Sequence, residues 1–163
     1  MKKYSEYVRL SPNRGGEIVP KFIVLHHSAG SFAGSLDWIS KSESRVSYHY
    51  LIRSDGGRVQ MVWDSVRAWA CGESSWKGFY GLNSHSVSIS FWGDTSTRLL
   101  GFEEFDSCAE KCIYLMEKFG LEIDAIITHQ MIAPDRKNDC SVQAHSLVIE
   151  RICERLEKKY EKC

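Results

Sequence analysis

Apolar and polar positions along this chain repeat with two periods, and the switches between them outline its elements. Residues 18–26 form a nearly continuous aliphatic run, broken early by Pro20, which predicts a buried strand that delivers a histidine pair, His26 and His27, at its end. "SLDWISKSE" (35–43) reads as a short helix with Ser35 as its N-cap. "YHYLIR", the turn "SDGG" and "RVQMVW" (48–63) read as a β-hairpin, because Asp-Gly supplies the positive φ of a tight connection. "SWKGFYGLNSH" (75–85) is long, aromatic and glycine-containing, the composition of a functional loop. "SVSISFW" (86–92) alternates small polar with apolar residues, as a strand does.

Further on the period lengthens. Phe105, Cys108, Cys112, Leu115 and Phe119 are spaced 3-4-3-4, predicting an amphipathic helix over about 102–119 that ends at Gly120. "AIITH" (125–129) is a short apolar strand terminating in His129; "QMIAPDRKNDCSVQ" is irregular; a last helix from about 143 to 160 buries Val148, Ile152 and Leu156. Strands interleaved with helices predict an α/β fold, a single domain with a central mixed β-sheet flanked by helices.

Composition narrows the function classes. The 163 residues carry 21 basic and 21 acidic side chains, a formal net charge of zero, which disfavours a general nucleic-acid or membrane-surface binder. "MKKYSEYVRL" lacks the apolar run of a secretory signal and no stretch has the length of a membrane span, so the expectation is a cytoplasmic protein as synthesised. In that setting the six cysteines read as reduced thiols, and Cys108 and Cys112, on the buried helix stripe, as core rather than as half a metal site.

The candidate chemistry lies where His26 and His129 each close an apolar strand, since sheet strand-ends are where ligand-binding groups gather. A catalytic zinc takes three protein ligands and leaves a position open. His26 or His27, His129, and Asp139 or Cys140 could supply the three, and the strand period lets only one of the adjacent histidines face the site.

The order of motifs resembles the zinc-dependent N-acetylmuramoyl-L-alanine amidases of type 2, a family that includes phage endolysins, intracellular muropeptide-recycling amidases and peptidoglycan recognition proteins. "IVLHHSAG", "VSYHYLIRSDGGRVQMV", "RAWACGESSWKGFYGLNSHSVSISFWG" and "THQMIAPDRKNDCS" carry the resemblance over about residues 21–142, and the whole of 1–163 reads as one amidase catalytic domain. The resemblance implies Zn²⁺ held by His26, His129 and Asp139: the first histidine after the aliphatic run is the ligand, and "IAPDRKND" aligns without a gap on the recycling-type pattern that ends in a zinc-binding aspartate. Other branches use a cysteine followed by Pro-Gly, whereas Cys140 is followed by Ser141 and Val142. It further implies Tyr48 and Lys137 as catalytic residues and Trp69 and Asn83 as substrate contacts. His49 alternates away from Tyr48 and reads as structural; His85 and His145 have no partner pattern.

Two positions depart from the family. Ser90 stands where recycling-type members carry a catalytic glutamate, and Ala70 replaces the histidine of the usual "WHAG". Tyrosine without glutamate looks like the phage-type solution. The expected function is therefore cleavage of the bond between N-acetylmuramic acid and L-alanine by a phage or prophage endolysin, monomeric, released to the wall by another factor. The alternatives are cytoplasmic muropeptide recycling and a non-catalytic peptidoglycan-binding module. Peptidoglycan or muropeptide is the implied partner.

Overall fold

The computed structural model describes residues 3–161. Two short strands, β1 (Glu6–Val8) and β2 (Arg14–Glu17), precede β3 (Phe22–His27), which is followed by helix α1 (Phe32–Ile39). The hairpin β4 (Tyr50–Ile52) and β5 (Arg58–Gln60) comes next, then β6 (Val66–Ala68), β7 (Ser75–Trp76), β8 (Phe79–Tyr80) and β9 (Ser86–Phe91). Helix α2 (Phe102–Phe119), β10 (Ile126–Thr128), the one-turn helix α3 (His129–Ile132) and α4 (Val142–Tyr160) complete the chain. The main sheet runs β1-β5-β4-β9-β3-β10; β4 and β5 are antiparallel and every other neighbouring pair is parallel, so the sheet is mixed.

Side-chain alternation sorts β3 and β9 into two faces. Ile23, Leu25, Val87, Ile89 and Phe91 join one core with Cys108, Cys112 and Leu115 of α2 and Val148 and Ile152 of α4. Each Val, Leu, Ile or Phe among them withdrawn from water contributes about 1.5–3 kcal/mol. Val24 faces the other way, and on that side Leu51, Val59 and Met61 pack under Leu36 and Ile39 of α1. His26 follows Val24 by two residues and so points to the α1 side, near the end of a strand buried along its whole length.

The helices are pinned at their ends and to each other. Gly120 stops α2 in the left-handed conformation at φ 65°, and Ser141 Oγ caps α4 by accepting the Ala144 N–H at 3.1 Å. Asp106 of α2, buried between the helices, accepts from Arg151 and Arg155 of α4 at 2.6 and 2.7 Å. Burial pushes its carboxyl up, but Arg155, Tyr4 and Arg151 outweigh this and hold it at about 2.

Several expected boundaries move. The strand expected at 18–26 starts at Phe22, because Ile18 instead gives its N–H to Ser65 and Pro20 cannot donate. The first helix begins earlier than expected: Ser31 is its N-cap, accepting the Gly34 N–H at 3.1 Å, while Ser35 turns inward to Ser28. The Asp-Gly hairpin forms as expected, with Gly56 at φ 81°. None of the five described cysteines is disulfide-bonded, and Cys163 lies outside the described residues. Among the described residues no helix is long and apolar enough to cross a membrane.

Candidate metal centre

Three segments meet at the carboxyl ends of β3 and β10. His26 comes from the end of β3. His129, expected to close a strand, is the first residue of α3, where Thr128 caps the turn by accepting the Met131 N–H at 3.2 Å. Asp139 comes from the loop before α4, and its backbone carbonyl accepts the Gln130 N–H at 2.6 Å, tying that loop to α3. His26 Nδ1 lies 3.1 Å from His129 Nδ1 and 3.4 Å from Asp139 Oδ2, and His129 Nδ1 lies 3.2 Å from the same carboxylate.

Hydrogen bonds on the outer side decide what the inner atoms are. His129 Nε2 donates to the Cys71 carbonyl at 2.9 Å, which as an oxygen acceptor leaves the neutral ring with a bare Nδ1. His26 Nε2 meets Ser88 Oγ at 3.0 Å; donation there likewise turns a lone pair inward. Asp139 accepts the backbone N–H of His27 at 3.3 Å. Burial pushes His26 down to about 4, so its ring is neutral near pH 7 and has a lone pair to offer.

Two lone pairs and a carboxylate aimed at one point repel one another unless a cation sits among them. A tetrahedral ion with bonds of about 2.0–2.1 Å places its ligands roughly 3.3–3.5 Å apart. The observed 3.1–3.4 Å matches that spacing, so these residues could hold a metal ion.

The other expected ligands lie elsewhere. His27 Nδ1 is taken by Thr95, accepting its N–H at 3.1 Å with the Thr95 hydroxyl at 2.9 Å. Cys140 is fully buried in the core on the α2–α4 side of the sheet. Strand alternation separates His26 from His27, and the turn of the loop separates Asp139 from Cys140.

A cavity of about 410 Å³ opens over the cluster, with Tyr48, Trp69, Ala70 and Lys137 in its walls and half-exposed Trp38 at its mouth. The Tyr48 ring sits 5.1 Å from the His26 ring. Burial and the Asp139 charge raise its phenol well above the ordinary value, against the pull of the Ser90 hydroxyl, so it stays protonated. Ser90 lies directly across from His26 in the β3–β9 register. Asn83 is not in the cavity wall; its Oδ1 accepts the N–H groups of Ala70 and Cys71 at 3.0 and 2.7 Å and shapes that wall from behind. His49 is structural as expected: Nε2 donates to the Val66 carbonyl and Nδ1 accepts the Ser88 N–H. His145, without an expected partner, donates to the Ile126 carbonyl and ties α4 to β10.

Ser88 and the Cys71 carbonyl were missed as orienting groups. The alternation in "SVSISFW" did place Ser88 on one face with Ser90, but only the register put that face under His26. A backbone carbonyl leaves no mark in a sequence.

The model of the N-acetylmuramoyl-L-alanine amidase family (Amidase_2) matches residues 15–141. The chain belongs to this family. Among curated relatives, 1,6-anhydro-N-acetylmuramyl-L-alanine amidase AmpD of Salmonella typhimurium (strain SL1344) is 37% identical over 95 residues, covering 58% of this chain and 50% of that protein. N-acetylmuramoyl-L-alanine amidase AmiD of Escherichia coli (strain K12) is 27% identical over 135 residues, covering 73% of this chain and 48% of its own length. The chain thus spans about half the length of the curated relatives it matches. Among solved structures, a Se-Met AmpD derivative superposes with a TM-score of 0.73 at 25% identity, over 90% of this chain and 96% of that one. A mutant endolysin from Bacillus subtilis shares the fold at a TM-score of 0.68 and 16% identity, over 90% and 99% of the two chains.

Proposed function

We propose that this chain is a zinc amidase that cuts between the lactyl group of N-acetylmuramic acid and the L-alanine of the stem peptide, with soluble muropeptides as its substrate. The observation that carries the reading is the convergence of His26 Nδ1, His129 Nδ1 and the Asp139 carboxylate, three acceptors within 4.8 Å of one another, at the end of β3. Zinc bound there supplies Lewis-acid polarisation of the scissile carbonyl and activation of water.

The remaining work falls to the chain's own side chains. Ser88 and the Cys71 carbonyl keep both imidazoles in the tautomer that accepts on Nδ1. Tyr48, protonated beside His26, is placed to donate a hydrogen bond to the oxyanion that develops as the amide carbon becomes tetrahedral. Lys137, two residues before Asp139 and in the cavity wall, brings a cation to the same negative charge and can protonate the leaving amine. Trp69 offers an aromatic wall to the substrate, and Asn83 holds the backbone next to it.

The identity with the 1,6-anhydromuramyl amidase AmpD supports the recycling role over the endolysin expected from the sequence. The pairing of Tyr48 with Ser90, rather than with a glutamate, keeps wall lysis as a second reading. The test presents zinc-loaded protein with soluble 1,6-anhydromuramoyl peptides and, separately, with purified sacculi, and measures freed amino groups. Faster release from the soluble peptides is expected; release from sacculi alone supports lysis. No release from either, in protein that still binds muropeptide, would sink the hydrolase reading and leave the binding module.

A further inference from the structure

The Cys71 carbonyl aims His129: by accepting its Nε2–H at 2.9 Å it turns Nδ1 toward the acceptor cluster. The same oxygen receives a second donor, Arg136 Nη2, at 2.8 Å, and that nitrogen also donates to the Glu73 carbonyl at 2.7 Å. One planar NH₂ group thus spans two carbonyls of a bend that has no regular secondary structure of its own. From the other side Asn83 Oδ1 receives the N–H groups of Ala70 and Cys71. Gly72 completes the clamp. Its φ of +58° is left-handed, and a Cβ there would come within 3.1 Å of the Arg136 guanidinium.

We propose that Arg136 is a positioning residue of the metal centre, holding the Cys71 carbonyl where it fixes His129 as a ligand. This rests on the zinc reading above. Outer partners of metal-bound histidines govern how well the ring is presented. Here that partner is a carbonyl on an irregular bend, which needs its own restraint. Hydrogen bonds from a guanidinium are roughly twice as strong as neutral ones, and its planar NH₂ fixes the directions of both N–H groups. Lysine keeps the charge and lacks that planar NH₂.

The test measures zinc affinity of the full chain by competition with a chromophoric chelator, and the visible absorption of the cobalt(II)-substituted protein. Arg136→Gln is expected to weaken zinc binding about tenfold and to shift the cobalt bands, with Arg136→Lys recovering part of the loss. Ser74→Ala is the control. Ser74 Oγ donates to the Gly72 carbonyl and accepts the Leu82 N–H, both at 3.0 Å, so its loss loosens the same bend without touching the Cys71 carbonyl and leaves affinity as in wild type. Unchanged affinity and spectrum in Arg136→Gln overturn the proposal. So does an equal loss in Ser74→Ala, or a raised KM with zinc affinity intact, which would make Arg136 a substrate contact. A wild-type chain that takes up neither zinc nor cobalt overturns the metal-centre reading, and this inference with it.

Discussion

Asp139→Asn keeps the shape of the proposed third ligand and removes the only formal charge in the proposed donor set. In the structure this carboxylate is 6% exposed and lies 3.4 Å from His26 Nδ1 and 3.2 Å from His129 Nδ1, so nothing from solvent can replace it. Losing an outer partner already costs about 10–100-fold in metal affinity, so losing the charge of a ligand itself is set at about 100-fold or more. That factor is about 2.7 kcal/mol. With zinc at about 1,000 times the wild-type Kd, binding stabilises the native state by about 4.1 kcal/mol, and after a 100-fold loss by only about 1.4 kcal/mol. For a chain of this size, 1 kcal/mol moves Tm by about 2–4 °C, so the zinc-induced rise should shrink by roughly 5–11 °C. The assay is thermal unfolding with zinc and with chelator for wild type, Asp139→Asn and Cys140→Ser. Cys140→Ser buries a hydroxyl in the core and should lower Tm by the same amount in both conditions. A full zinc response in Asp139→Asn together with its loss in Cys140→Ser would refute the assignment of the ligand.

Tyr48→Phe should lower kcat by about 10²–10³-fold, the range for one lost oxyanion donor, with zinc affinity unchanged by chelator competition. Lys137→Ala should also spare zinc and depress turnover, and unchanged rates would remove lysine from the mechanism. His49 predicts a pH dependence of stability. Burial pushes its folded value down to about 4 from 6.5, so the unfolded chain takes up the proton first. Stability is therefore full above pH 6.5 and falls toward pH 4, by about 3 kcal/mol from this residue. Urea unfolding at pH 7.5 and 4.5 should show a smaller difference in His49→Gln than in wild type. Asp106→Ala strips a buried acceptor from Arg155 and should destabilise by about 3–5 kcal/mol in the same urea assay; a loss under 1 kcal/mol would show that the ion pair does not join α2 to α4.

Much of this molecule follows from local pattern. A period of two separates His26 from His27, and the 3-4 stripe of α2 puts Cys108 and Cys112 in the core instead of on a metal. The Asp-Gly turn sets the hairpin. These are legible because each depends on residues a few positions apart, whose geometry the backbone repeats. What the pattern could not decide depends on segments far apart in sequence. β1 is an exposed three-residue strand, too short for any periodicity to reveal; it pairs with the edge of β5, and Arg58 reaches Glu6 at 2.6 Å. That Asp139 and not Cys140 faces the two histidines is decided by an irregular loop packing against α3, and the aim of His129 by a carbonyl 58 positions earlier in the chain. A ligand atom is placed by the direction of a side chain to within a few tenths of an ångström, and that direction is set by packing across the fold, not by neighbours in the sequence.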